Sequence, residues 1–222
     1  MYFKRMEELA TLIDHTLLRP EASLGDIEKH CEEALRYGFF SVCVNPWWVR
    51  TAREKLEGSK LKVCSVVGFP FGMNTAKAEG AKRAMEDGAD ELDMVIAIGA
   101  LKSKLYEEVK DDIEGVVSQG KPVKVILETC LLSTEEIRKA CTLCIEAGAA
   151  FVKTSTGFSE EGAKVDIVKI MREEVGDRLG VKASGGIRDL ETLIAMVEAG
   201  ATRIGSSSSV EIAQEFLKEV GK

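Results

Sequence analysis

Short apolar runs rich in Val and Ile alternate along the whole chain with longer amphipathic stretches. The runs fall at 12–14, 41–44, 63–67, 91–96, 123–127, 151–154, 181–183 and 203–204. Between them lie helical patterns that end on a glycine stop, as in Ala34-Leu-Arg-Tyr-Gly38, Met85-Glu-Asp-Gly88, Ile145-Glu-Ala-Gly148 and Val197-Glu-Ala-Gly200. A strand run follows each of these glycines within a few residues. Eight alternating strand and helix units imply a parallel sheet, and that number favours closure into a barrel. An open doubly wound sheet is the alternative, but no G-x-G-x-x-G follows the first run and no acidic residue stands where a ribose would need one. No linker or low-complexity segment divides the chain. The pattern therefore predicts an α/β protein, a single-domain (β/α)₈ TIM barrel over residues 1–222.

Composition narrows the function classes. The 222 residues are 45% hydrophobic and 30% charged, as in ordinary globular proteins. The formal net charge is -7 and no basic block stands out, which argues against nucleic acid as a partner. An anionic substrate would need a local positive site, because the global field mildly repels it. No apolar run approaches a membrane span, and the N-terminus lacks the apolar core of a secretory signal. A cytoplasmic protein is expected, with its six cysteines as reduced thiols. The one C-x-x-C, Cys141 and Cys144, sits inside a helical pattern with no second pair and no nearby histidine, so it reads as core packing.

Three charged residues stand where packing would not put them. Asp93 lies in Glu91-Leu-Asp-Met-Val-Ile96, Lys153 in Phe151-Val-Lys-Thr-Ser-Thr-Gly157, and Lys182 in Gly180-Val-Lys-Ala-Ser-Gly-Gly186. Burying a charge costs several kcal/mol unless it is paired. The alternatives are outward-pointing side chains, a structural ion-pair network, or a catalytic cluster facing inward. Lysines on consecutive strands, about 4.8 Å apart, would crowd each other. Repulsion and desolvation would then free an amine to attack a carbonyl, with a carboxylate to move protons. Such an arrangement permits imine chemistry with no metal and no organic cofactor. The clusters Thr154-Ser-Thr-Gly157, Ser184-Gly-Gly186 and Gly205-Ser-Ser-Ser-Ser209 follow the last three runs. Loops there commonly hold a phosphate through backbone N–H groups and a helix N-terminus. The bland alternative is plain turns, with Ser209 as an N-cap.

At these residues the chain resembles the deoxyribose-phosphate aldolase family of class I aldolases. The resemblance runs through Ile13-Asp-His-Thr-Leu-Leu18, Ser41-Val-Cys-Val-Asn-Pro46, Gly68-Phe-Pro-Phe-Gly72 and Gly88-Ala-Asp-Glu-Leu-Asp-Met-Val95. It continues through Ile126-Leu-Glu-Thr-Cys-Leu-Leu132, Phe151-Val-Lys-Thr-Ser-Thr-Gly-Phe158, Val181-Lys-Ala-Ser-Gly-Gly-Ile-Arg188 and Arg203-Ile-Gly-Ser-Ser-Ser208. It implies reversible cleavage of 2-deoxy-D-ribose 5-phosphate to D-glyceraldehyde 3-phosphate and acetaldehyde. Carried over by motif, Lys153 is the Schiff-base lysine, Lys182 tunes it, and Asp93 is the acid–base carboxylate. Gly157, Gly185, Gly186, Gly205, Ser206 and Ser207 fall where the family grips the substrate phosphate. Asp14, Thr16 and Cys43 match positions at the mouth of its active site. The chain departs from the family at Ala97, where Asn is common, and at Glu160-Glu161, close to the proposed phosphate loop.

Other expectations are plainer. His30, in a charged helical stretch, reads as a surface residue, and His15 as a hydrogen-bonding or structural group. Neither stands at metal-ligand spacing from an acid in the sequence, so no metal is predicted. Of Trp47 and Trp48, on the second helix, one should pack inward and the other stand exposed at a subunit contact. A homo-oligomer, dimer or tetramer, is expected. Two rival readings are an aldolase for a larger phosphorylated sugar and a catalytically silent sugar-phosphate binder.

Overall fold

The computed structural model describes residues 2–221. In chain order the elements are α1 Met6–Ala10, β1 Ile13–Leu17, α2 Leu24–Tyr37, β2 Ser41–Val44, α3 Val49–Lys55, β3 Lys62–Val67, α4 Lys77–Glu86, β4 Glu91–Val95 and α5 Ile98–Lys102. They continue with α6 Tyr106–Val117, β5 Val123–Ile126, α7 Thr134–Glu146, β6 Phe151–Lys153, α8 Val165–Val175, β7 Gly180–Ser184, α9 Leu190–Glu198, β8 Arg203–Ser206 and α10 Ser209–Val220. Each strand pairs in parallel with the next. β8 returns to β1 through Ile13↔Ile204, Asp14↔Gly205 and His15↔Ser206, which closes an eight-stranded barrel. The alternation in the sequence thus corresponds to a (β/α)₈ TIM barrel.

Local chemistry starts and stops the helices. Ser23 with Asp26, and Ser133 with Glu136, form capping boxes that satisfy the first free N–H groups of α2 and α7. Asp189 caps α9 through the Thr192 N–H at 2.7 Å. The recurring Gly-Ala before a strand has a specific partner in two of its copies. Arg53 lies across Gly88 and donates Nε–H to its carbonyl at 3.1 Å, and Arg172 does the same at Gly200 at 3.0 Å. A Cβ at Gly200 would stand 2.7 Å from Arg172 Cγ, and the residue's φ of +110° disfavours any side chain. In these two copies the helix end is clamped by an arginine of the preceding helix.

The main apolar core fills the layer between barrel and helices, with fully buried residues such as Leu9, Ile27, Leu92, Met94, Ile113 and Val152. Each such side chain contributes about 1.5–3 kcal/mol of burial. The barrel's own interior differs: its apolar part is a small cluster of Leu18, Cys43, Cys64 and Val66 against Phe69. Charged side chains occupy much of the rest.

Several local expectations change. The first, seventh and eighth strands run further than their apolar runs, to Leu17, Ser184 and Ser206. Each end stays on the ladder by pairing with one neighbour: Leu17 with Val44, Ser184 with Gly205 and Ser206 with His15. His30 is buried, not at the surface. It shares the inward face of α2 with Ile27, Cys31 and Ala34, a spacing of three and four that the charged neighbours obscure. Its ring stacks on His15 with centroids 3.8 Å apart. Trp47 and Trp48 lie on the one-turn 3₁₀ helix Pro46–Trp48, ahead of α3. Trp48 packs on the core while Trp47 is 84% exposed. Ser209 is the first residue of α10 rather than its cap, and its hydroxyl donates to the Ser206 carbonyl at 2.9 Å. Cys141 and Cys144 are buried free thiols of α7, and burial pushes Cys141 up to about 12. Among the described residues, no helix is long and apolar enough to cross a membrane.

Candidate active site

The parallel register brings the charged residues of different strands into one layer of the barrel. Lys153 pairs with Lys182, Asp93 with Lys124, and Lys182 with Arg203. Asp93 is the hub. Its Oδ2 accepts from Lys153 Nζ at 2.8 Å and from Lys182 Nζ at 2.7 Å. Its Oδ1 accepts from Lys124 Nζ at 2.8 Å and from the Cys64 thiol at 3.1 Å. Lys182 reaches on to Asp14 Oδ2 at 2.5 Å, and Ser41 Oγ donates to Asp14 Oδ1 at 2.7 Å. The two lysines anticipated to crowd each other therefore share one carboxylate oxygen between them.

Electrostatics follow from that packing. Burial alone would push the Asp93 carboxyl up, but Lys124, Lys153 and Lys182 outweigh it and hold it well below the usual range. Asp14 is likewise held down, by Lys182, Lys124 and Arg203 against the same burial. Burial opposes the charge of Lys182, yet Asp14 and Asp93 raise it above an ordinary lysine. Lys182 is thus a persistent cation next to a persistent anion. Burial drives Cys64 well up, while the hydrogen bond with Cys64 brings the neighbouring Cys43 thiol down.

Above this layer opens a cavity of about 300 Å³. Lys153, only 2% exposed, is the ion-layer residue that lines it. Thr16, Gly157, Gly185, Gly186, Gly205, Ser206 and Ser207 line its walls and rim. Asp93 and Lys182 lie beneath Lys153, fully buried. Asp14 and Cys43, expected at the mouth, are also fully buried inside the barrel and do not line the cavity. Their positions on central parallel strands point both side chains into the barrel layer below, where Asp14 is occupied by Lys182, Ser41 and Arg203.

The rim is built by close backbone packing. A Cβ on Gly162 would stand 2.1 Å from the Gly185 carbonyl oxygen, which accepts from Ala163 N–H at 3.0 Å. Gly185 itself sits at φ +85°, where a side chain would be strained. Gly205 leaves room for the Lys182 stem, since a Cβ there would lie 3.0 Å from Lys182 Cε. Ser206 Oγ donates to the Ile187 carbonyl at 2.7 Å and accepts from Ser208 N–H at 2.9 Å, tying the β7 loop to the start of α10. On the opposite side, the buried Glu128 carboxylate accepts from both the N–H and the hydroxyl of Thr156 and so holds the loop that carries Gly157. Glu160 and Glu161 are exposed in that loop, ahead of α8. Glu161 pairs with Lys164 at 2.7 Å, and neither acid lines the cavity.

Several residues of the site carry weaker signals in the sequence, among them Lys124, Glu91, Arg203 and Arg188. Lys124 lies in Val123-Lys-Val-Ile-Leu127, the same signal of a charge within an apolar run that marked Asp93. Glu91 and Arg203 open their strands and look like boundary residues, yet both are buried. Arg188 lines the cavity from the β7 loop and is exposed to an incoming anion. The histidines lie outside the barrel. His15 Nε2 is 3.3 Å from Glu33, and His30 Nε2 is 3.0 Å from the His15 carbonyl. Their donor atoms come within 4.8 Å, a proximity that sequence spacing hid.

Known proteins carry the same chain pattern. A deoxyribose-phosphate aldolase of Clostridium tetani is 55% identical over 213 residues, covering 94% of this chain and 99% of that protein. One of Enterococcus faecalis is 56% identical over 210 residues, covering 92% and 96%. Among solved structures, the aldolase QR15 superposes with a TM-score of 0.92 at 44% identity, covering 96% of this chain and 97% of that one. The tetrameric deoxyribose phosphate aldolase of Aeropyrum pernix gives 0.91 at 35% identity, covering 98% and 94%. With the DeoC/LacD family aldolase model matching residues 9–214, the chain belongs to that family.

Proposed function

We propose that this chain is a class I aldolase that reversibly cleaves 2-deoxy-D-ribose 5-phosphate to D-glyceraldehyde 3-phosphate and acetaldehyde. One observation carries the reading: Lys153 is the amine on the cavity floor, and it shares a carboxylate oxygen with a second lysine. Uncharged Lys153 attacks C1 of the open-chain sugar, and loss of water from the carbinolamine leaves an iminium ion. Lys182, kept cationic, supplies the proton for that loss. Asp93, kept anionic, takes the C3 hydroxyl proton through a water and Lys182 as the C2–C3 bond breaks. The electrons flow into the iminium, glyceraldehyde 3-phosphate leaves, and Asp93 returns the proton it took, by the same path, to C2 of the enamine. Addition of water to the resulting iminium returns acetaldehyde and free Lys153, and the proton released by that water restores the Lys182 cation.

Gly157, Gly185, Gly186, Gly205, Ser206 and Ser207 are the proposed phosphate grip, with Thr16 on the facing wall and Arg188 supplying positive charge at the mouth. Holding C1 against Lys153 in this way can supply on the order of 7–11 kcal/mol of the barrier. Asp14 and Cys43 act from beneath, Asp14 by anchoring Lys182. The whole of 1–222 serves as one catalytic domain that needs neither metal nor organic cofactor. A homo-oligomer in the cytoplasm is the proposed working form, in keeping with the exposed Trp47 and the tetramer named for the Aeropyrum pernix protein. The test is acetaldehyde release from 2-deoxyribose 5-phosphate, with borohydride trapping and mass mapping of the labelled lysine. A label on any lysine other than Lys153 overturns the reading.

A further inference from the structure

The buried ion pairs form a closed circuit. Arg203 Nη1 donates to Asp14 Oδ1 at 3.0 Å, Asp14 Oδ2 holds Lys182 at 2.5 Å, and Lys182 holds Asp93 at 2.7 Å. Asp93 Oδ1 then holds Lys124 at 2.8 Å, Lys124 holds Glu91 Oε2 at 2.7 Å, and that same oxygen returns to Arg203 Nη1 at 3.1 Å. Six groups alternate in sign around the ring, so the ring is neutral. Lys153 hangs on it from Asp93 as a seventh, surplus cation. Arg203 is clamped in place, its guanidinium carbon 3.6 Å from the Phe40 ring centroid and 5.3 Å from that of Phe151.

We propose that Arg203 and Glu91, which close this ring on the floor of the barrel, are positioning residues for the reaction. By keeping the ring neutral they leave Lys153 as the single surplus cation of this ion layer. The inference rests on Lys153 as the nucleophile. Facing Lys153 are Asp93 from β4, Lys182 from β7 and Cys43 from β2. Lys124 from β5, Cys64 from β3, Asp14 from β1, Glu91 from β4 and Arg203 from β8 lie in the layer behind them. Neither Arg203 nor Glu91 lines the cavity, so each acts only through that layer.

A neutral ring predicts opposite effects for its two closing members. Arg203→Met leaves an uncompensated carboxylate, so Lys153 holds its proton more tightly and the acidic limb of the pH–rate profile moves to higher pH. Glu91→Gln leaves an uncompensated cation, and the limb moves to lower pH. Each shift should be about one unit, a tenfold change in rate on the limb. The double variant Arg203→Met/Glu91→Gln should return the limb close to wild type, and Arg203→Lys, which keeps the charge, should leave it within about 0.3 units. The measurement is the pH dependence of kcat/KM and of borohydride trapping with acetaldehyde, on variants with wild-type circular dichroism. If Arg203→Met does not fold, Glu91→Gln still reads the sign. Shifts in one common direction, or an unmoved limb in folded Glu91→Gln, overturn the proposal. Lys153→Ala run in parallel separates the two levels: continued trapping in that variant removes the nucleophile assignment, whereas trapping on Lys153 with an unmoved limb removes only the ring.

Discussion

The floor and the rim of the cavity solve different problems with different materials. The floor holds its charges with side chains: four cations and three carboxylates packed without water-exposed partners among the described residues. The rim holds its shape with backbone, through Gly157, Gly162 and Gly185 packed on one another and Gly205 packed against Lys182 and Ser184. Imine chemistry must move protons among groups of different basicity, which only titratable side chains can do. Gripping a phosphate calls for fixed dipoles that need no reorganisation when the anion arrives, which N–H groups in a rigid loop provide. Damage to the floor should therefore fall on kcat, and damage to the rim on KM.

The largest effect separates them at once. Lys153→Ala should lower turnover on the order of 10⁴-fold or more and abolish aldehyde trapping by borohydride, as expected on removing a nucleophile. Full-stoichiometry trapping in that variant would falsify the assignment. Asp93→Asn comes next. It leaves Lys124, Lys153 and Lys182 without their common anion, which should cost about 3–5 kcal/mol of stability and on the order of 10²- to 10⁴-fold in kcat. Denaturant unfolding and pre-steady-state imine formation read the two losses separately, and a change confined to KM would contradict the floor's role.

At the rim, Gly162→Ala pushes a methyl against the Gly185 carbonyl and should raise KM for the phosphorylated sugar roughly tenfold while kcat changes little. An equal rise in KM for unphosphorylated 2-deoxyribose would show that the loop does not serve the phosphate. The smallest effect lies outside the site. Burial holds His15 neutral, with its pKa pushed down to about 3 from 6.5. Stability is complete above the unfolded value and falls as the pH drops from 6.5 towards 3, because only the unfolded chain takes up the proton there. His15→Phe should flatten that slope by up to about 1.4 kcal/mol per pH unit. Urea midpoints between pH 4.5 and 6.5 check it, above the range where Asp14 and Asp93 release their protons. An unaltered slope would mean that His15 is not the group responsible.

The ion layer was partly legible because a charge inside an apolar run is a strong signal. Asp93, Lys153 and Lys182 stood out that way, and Lys124 carries the same mark in Val123-Lys-Val-Ile-Leu127. Glu91 and Arg203 did not, since a charge at a strand boundary looks solvated until the neighbouring strands close over it. Asp14 and Cys43 were anticipated at the cavity mouth. Strands buried on both faces lack the polar–apolar alternation that would tell inward from outward, or one barrel layer from the next. His30 misled for a related reason: its charged neighbours mask an inward spacing on α2 that only the packed helix reveals.

By itself the sequence determined the alternation of eight strands and their helices, the glycine helix ends, and the strand ends that bear the chemistry. Those are local properties, set by propensity, capping and periodicity within a few residues. Only the tertiary structure decided that Lys153 and Lys182 would share an oxygen of Asp93 rather than repel one another. It alone joined Glu91 to Arg203, 112 positions apart in the chain, and so closed a neutral ring beneath the nucleophile. Barrel closure puts the last strand beside the first, and the sign of a buried charge's surroundings depends on neighbours that no window along the chain contains.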